Sequence, residues 1–257
     1  MFRWDLVWHF LFEDPNLLFL NAAWRTLWIS VVAQAAGVFL GLFLALMRMS
    51  RFPLLTFPAR AYIWFFRGSP LLVQVLLLWD GLPRVVPGLL LPDYAVVLVA
   101  FSLNETAYMA EIIRAGITSV DPGQMEAAKS LGVRFALAMR RIVLPQAARV
   151  IIPPLGNEFN NMLKTTSIAS VIGLLELTGT AEVYGSQAFV IFELLIVATV
   201  YYLVLTSLWS YFQSWIENRL NPDRAVKTEL VEKKGWTERM LGFGPSARTG
   251  GTLASGR

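Results

Sequence analysis

The chain has 257 residues, of which 56% are apolar and 16% charged, and its formal net charge is +4. An ordinary globular domain carries about 25% charged residues, and a disordered chain combines low hydropathy with high charge. A mean hydropathy of +0.54 fits neither and points to an integral membrane protein. With no cysteine and one histidine, His9, the sequence excludes a disulfide scaffold, a thiolate or histidine metal cluster and a histidine-based triad. It also lacks a Gly-x-x-x-x-Gly-Lys-Ser/Thr phosphate loop.

A bilayer crossing needs about 20 mostly apolar residues. Residues 26–47 supply the first, free of charge and with Thr26, Ser30 and Gln34 as its polar side chains. Asp5, Glu13 and Asp14 precede it instead of a basic run, which argues against a cleaved signal. Inside it Gly37 and Gly41, extended by Ala33 and Ala45, form a small-residue stripe where another helix can approach closely. That approach is expected within one subunit rather than at a dimer face. Residues 62–79 form the second span, interrupted by Arg67, and residues 92–113 the third, with Asn104 and Glu105 well inside.

Residues 114–149 make a loop too long for a simple turn. Asp121-Pro122 reads as a helix cap followed by proline in the first turn. The stretch from Glu126 through Ala127 and Ala128 to Leu131 is a good helix former, and Gly132 permits a sharp turn or a close backbone approach. A second helix, basic through Arg134, Arg140 and Arg141, leads to Leu144-Pro145. Such short helices have too little apolar face to stand alone, so they should rest on the membrane surface or on a partner protein.

Residues 146–175 are apolar on average yet carry Pro153, Pro154, Asn157, Glu158, Asn160, Asn161 and Lys164. The paired prolines predict a break or kink whose freed carbonyls need partners. Residues 188–212, with Glu193 near their start, form the last span, and residues 221–257 a cytoplasmic tail beyond a transmembrane domain of residues 1–220. Segments 48–60, 114–149 and 213–257 hold 3, 6 and 8 basic residues, against 2, 1 and 0 in 1–25, 80–93 and 174–190. The rich segments share one side only if 146–175 crosses, which gives five spans with the N-terminus out and the C-terminus in.

Ionisable groups inside a membrane usually face a bundle interior or a wet cavity. Asn104, Glu105 and Glu111 on one span, and Asn157, Glu158, Asn161 and Lys164 on the next, predict a shared polar interior. Each of these residues either contacts a transported substrate or only fastens helices together.

Glu126-Ala127-Ala128, Gly132, Ile142, Leu144 and Pro145 resemble the EAA loop of permease subunits in bacterial ATP-binding-cassette (ABC) importers. Matches to the polar amino acid permeases extend over roughly residues 20–215. They include Phe66 to Gln74, Asn104 to Tyr108, Gly123 to Glu126, Pro153 to Phe159, Lys164 to Ser167 and Val171 to Gly173. Ser69 stands where members often have threonine, which keeps the hydroxyl. The resemblance implies an all-α integral membrane protein of the inner membrane, with five transmembrane helices and a cytoplasmic coupling helix between spans 3 and 4. It implies that Glu126, Ala127, Ala128 and Gly132 contact a separate ABC ATPase, which binds the ATP, so the chain itself carries no cofactor and is not an enzyme. A second permease subunit and an extracytoplasmic amino-acid-binding protein would complete the system. Glu105, Asn157, Glu158 and Asn161 are the candidates for the substrate path, carboxylates meeting an ammonium and amides a carboxylate. An ATP-independent secondary transporter is the alternative; it would show repeated halves and need no partner helix.

Overall fold

The computed structural model describes residues 3–13 and 17–220, which are helical with short connections and no strand among them. The helices are α1 (Trp4–Trp8), α2 (Leu18–Arg48), α3 (Pro53–Gly68), α4 (Leu71–Leu76), α5 (Leu82–Val85), α6 (Asp93–Thr118), α7 (Pro122–Ser130), α8 (Phe135–Ala138), α9 (Leu144–Thr165), α10 (Leu177–Ala188) and α11 (Ile191–Leu220). Contacts divide the chain at Ser214. The second unit is described only for the last turns of α11, where the Arg219 guanidinium lies 5.0 Å over the Trp215 ring. The expected tail, residues 221–257, lies outside the described residues.

Three helices, α2, α6 and α11, are long and apolar enough to cross a membrane. At 1.5 Å per residue even α6 reaches about 39 Å, more than the ~30 Å hydrocarbon core. The expected second span is not one helix. It breaks at Ser69-Pro70, where α3 and the α4–α5 segment meet at 104°, so the pair is either a broken span or a re-entrant loop. Pro70 drives the residue before it out of the helical region, and Ser69 is extended at φ −111°, ψ 145°.

A break at membrane depth exposes carbonyls that lipid cannot satisfy. Here side chains satisfy those of Phe65, Phe66 and Ser69. Gln74 Nε2 donates to the carbonyls of Phe66 (3.0 Å) and Ser69 (3.1 Å), and Asn104 Nδ2 donates to Phe66 (3.0 Å) and to Gln74 Oε1 (3.1 Å). Ser69 Oγ closes the set by donating to the Phe65 carbonyl at 2.8 Å. The paired prolines behave differently: α9 is continuous through Pro153 and Pro154, so of the expected break or kink there is no break. Prolines elsewhere shape the helix more subtly. The π-helical stretches at residues 77–81 and 139–143 each end two residues before a proline, Pro83 and Pro145. A widened turn relieves the clash between a proline ring and the carbonyl four residues back.

The tightest seam joins α2 to α6. A Cβ placed on Gly37 would lie 2.5 Å from Glu105 Cγ, and one on Gly41 2.6 Å from Met109 Cβ and 3.0 Å from the Ala110 amide. The small-residue stripe therefore packs within the subunit, as expected, with Ala33 and Ala45 fully buried along it. Trp28 stacks on Tyr94 near one end, and Arg48 pairs with Glu111 (2.7 Å) near the other. Partner numbers rise together along both helices, so α2 and α6 are parallel. Helix α9 runs opposite to them: Gly116 of α6 meets Ile151, while Glu105 shares a cavity with Glu158 and Asn161. Helix α11 reverses again, because Gln213 donates to the Pro153 carbonyl (3.2 Å) and Trp209 to that of Gly156 (2.8 Å).

Overpacking a close-packed seam costs about 1–3 kcal/mol. Gly41→Val, which forces a side chain onto backbone atoms of α6, should lower the melting temperature of the detergent-purified protein by several degrees. Gly68→Ala, where a Cβ meets nothing within 4 Å, should leave it unchanged. Equal melting temperatures for the two variants would contradict the seam.

Candidate coupling loop and polar cavity

Helix α7 is fixed at both ends by its own residues. Asp121 is the N-cap, its Oδ1 accepting the Gly123 N–H at 2.8 Å, and Pro122 occupies the first turn where no N–H is needed. At the other end Gly132 N–H donates to the Lys129 carbonyl (2.9 Å) and Val133 N–H to that of Ala128 (3.0 Å). These two bonds define a Schellman cap with Gly132 at the left-handed position, φ +74°. Nothing lies within 4 Å of a Cβ at Gly132, so within this chain the glycine serves the turn and not a close approach.

The capped helix sorts the expected coupling residues. Glu126, Ala127 and Gly132 are exposed, while Ala128 is 3% exposed and faces its own chain. Ala128 thus supports the helix from beneath. Two residues outside the motif join the outer face, Leu131 at 83% and Phe135 at 60% exposure. Large apolar side chains this exposed, on a loop outside the candidate spans, mark an interaction surface. Their signal in the sequence is weak: an apolar residue on each side of a turn glycine.

An open cavity of about 640 Å³ lies between α4, α6 and α9. Glu105, Glu158 and Asn161, three of the four candidate path residues, line it together with Asn104, Tyr108 and Lys164. Glu105 is 3% exposed, and its Cβ and Cγ rest against Gly37. Asn161 Nδ2 reaches Glu158 Oε2 at 3.4 Å. Asn157 is not in the lining. Its Oδ1 accepts from Gln213 Nε2 at 3.0 Å, which ties α9 to α11 and makes it a fastener. Glu111 also fastens, holding Arg48 (2.7 Å) and Arg114 (3.0 Å) at the end of the α2–α6 seam. Asn104 does both, capping the broken helix while facing the cavity.

The lining offers carboxylates, amides and the Lys164 ammonium, and behind Tyr108 the Arg67 guanidinium lies 5.2 Å from the ring centre, within cation–π reach. That mixture suits a small zwitterion. Tyr108 was missed in the sequence, although it stands three residues after Glu105 and so on the same helical face. Among the described residues no group of three or more His, Cys, Asp or Glu could hold a metal ion.

Residues 37–222 match the family described as binding-protein-dependent transport system inner membrane component. The chain is 40% identical over 207 residues to the probable glutamine ABC transporter permease protein GlnM of Bacillus subtilis (strain 168), covering 80% of this chain and 95% of that one. It is 39% identical over 229 residues to the arginine transport system permease protein ArgU of Corynebacterium glutamicum, covering 84% and 71%. A solved structure described as an amino acid ABC transporter with histidines superposes with a TM-score of 0.76 at 43% identity, covering 80% of this chain and 96% of that one. With most of its length inside the match, the chain belongs to the family of binding-protein-dependent transport system inner membrane components.

Proposed function

We propose that the chain is the permease subunit of an ABC importer, that it lines the path for a polar amino acid, and that its α7 loop couples it to a separate ATPase. The relatives' names as amino-acid permeases support this over an ATP-independent secondary transporter. The observation that carries the coupling role is the rigidly capped α7, which displays Glu126, Ala127, Leu131 and Phe135 beyond the spans. A preset helix loses little freedom on docking, so motion of the ATPase passes to α6 and α9, the helices that flank the loop and line the cavity.

The proposed topology is five crossings with the N-terminus out and the C-terminus in, α7 lying between the third and fourth. Helix directions support it. A re-entrant loop would bring the chain back to the side it left, but the parallel α2 and α6 require residues 49–92 to return across the membrane. The reversed direction of α9 and the second reversal of α11 add the last two crossings. Arg48 and Arg114 then share a side with the basic loop, which the positive-inside rule puts in the cytoplasm. The partners that follow are an ATPase pair, a second permease subunit, and an extracytoplasmic binding protein, all at the inner membrane.

In the cavity Glu158 would meet the substrate ammonium, with Lys164 and Asn161 placed for its carboxylate. A hydrogen bond to a charged group contributes about 1.5–3 kcal/mol. Glu158→Gln should therefore lower uptake in proteoliposomes about tenfold or more at unchanged folded yield, whereas Asn157→Ala should lower yield first. Full uptake by Glu158→Gln would remove Glu158 from the path.

Coupling has its own test. Gly132→Asp strains a left-handed turn by about 1–2 kcal/mol and sets a charge beside Leu131 and Phe135. Leu131→Glu places a charge on the same face without touching the turn. Both should insert normally yet recover the ATPase about tenfold less on copurification and lose uptake. Full ATPase recovery with full uptake in both variants would contradict docking through this loop.

A further inference from the structure

A separate cavity, of about 390 Å³, lies in the corner between α2 and α3 and is lined by Ser50, Arg51, Pro53, Thr56, Phe57 and Arg60. The corner is preset by its own hydroxyls. Ser50 Oγ accepts the Phe52 N–H at 3.2 Å, and Thr56 Oγ1 donates to the Ser50 carbonyl at 2.9 Å. The Ser50 hydroxyl proton stays available for a further acceptor.

Charge at this end of the bundle is unevenly satisfied. Arg48 and Arg114 both pair with Glu111. Arg51 and Arg60 form no ion pair among the described residues, and the sequence has no acidic residue between Asp14 and Asp80 to neutralise them locally. Two guanidinium groups on one cavity, with a hydroxyl donor beside them, make a recognition site for a tetrahedral anion, because each planar fork matches a pair of phosphate oxygens. The surroundings select among anions. Phe52, Leu54 and Phe57 are exposed around the same corner, at the end of the apolar α2 helix, where side chains leave the hydrocarbon for the head-group layer. A ligand that satisfies both features carries a phosphate and acyl chains.

We propose that this corner binds the head-group phosphate of an anionic phospholipid, in the leaflet at the Arg48 and Arg114 ends of α2 and α6. The lipid phosphate bridges Arg51 and Arg60 while its chains cover Phe52, Leu54 and Phe57. Only the assignment to the cytoplasmic leaflet rests on the orientation proposed above; the site itself does not. It lies apart from both the α7 loop and the polar cavity, so lipid binding and transport are separable readouts.

The test is native mass spectrometry of the full chain, purified in detergent with its associated subunits and titrated with dioleoyl phosphatidylglycerol or dioleoyl phosphatidylcholine. Wild type should bind phosphatidylglycerol in clear preference to phosphatidylcholine. Arg51→Gln/Arg60→Gln should bind it about 30-fold more weakly, the combined effect of two basic residues near anionic lipid. Measurement is confined to monodisperse protein, and Arg51→Lys/Arg60→Lys, which keeps the charge but not the planar forks, should recover part of the binding. Equal phosphatidylglycerol binding by wild type and the glutamine variant overturns the proposal, as does no recovery by the lysine variant. Displacement of the lipid by millimolar inorganic phosphate overturns it in favour of a free-phosphate site. Loss of the ATPase from the glutamine variant with lipid binding intact overturns it in favour of a protein contact.

Discussion

Two parallel helices packed side by side in a membrane force the chain to cross back between them. Gly37 and Gly41 set that condition here, because only a residue without a side chain lets α2 lie against the Cβ and backbone atoms of α6. From this contact follow the position of Glu105 against Gly37, the end of the seam where Glu111 gathers Arg48 and Arg114, and, in the proposed topology, the return path of residues 49–92. The segment between α2 and α6 breaks at Ser69-Pro70, and the break is tolerated because Gln74 and Asn104 supply the donors that lipid cannot. The amide of Asn104 therefore serves the fold as well as the cavity, which it lines beside Glu105.

The cavity and the loop are joined by the same two helices. Helix α6 leads from Glu105 towards α7, and a helical run beginning at α8 leads through the π-helical turn before Pro145 into α9 and back to Glu158. A displacement of the capped α7 thus reaches both carboxylate-bearing helices through continuous backbone. A π-helical turn is a point where a helix changes register with little loss of hydrogen bonding. In this chain it sits between the surface proposed to meet an ATPase and the wall of the cavity.

Much of this was legible in the sequence where one residue type meets one physical demand. Residues 26–47 could only be an apolar helix, Asp121-Pro122 could open α7, and Gly132 could take the left-handed turn that closes it. What stayed hidden depended on neighbours. The Ser69-Pro70 break was available from proline sterics, but an apolar run on both sides masked it. The four-residue spacing of Asn157 and Asn161 puts them on one face of α9, yet that face meets α11 at Asn157 and the cavity at Asn161. A helical pattern gives the face; it does not give the helix that the face meets at each depth. For the same reason Ala128 reads as part of a contact motif and turns out to be packed inward.

The five-crossing account stands or falls on α9, the most polar of its crossing segments. The chain has no cysteine, so single cysteines at the exposed positions Gln124 and Gln187 report on the two ends of the segment between them. In sealed right-side-out membrane vesicles, Gln187→Cys should react with a membrane-impermeant maleimide, and Gln124→Cys should react only after the vesicles are opened. Equal labelling of both sites in sealed vesicles would place them on one side and contradict the account.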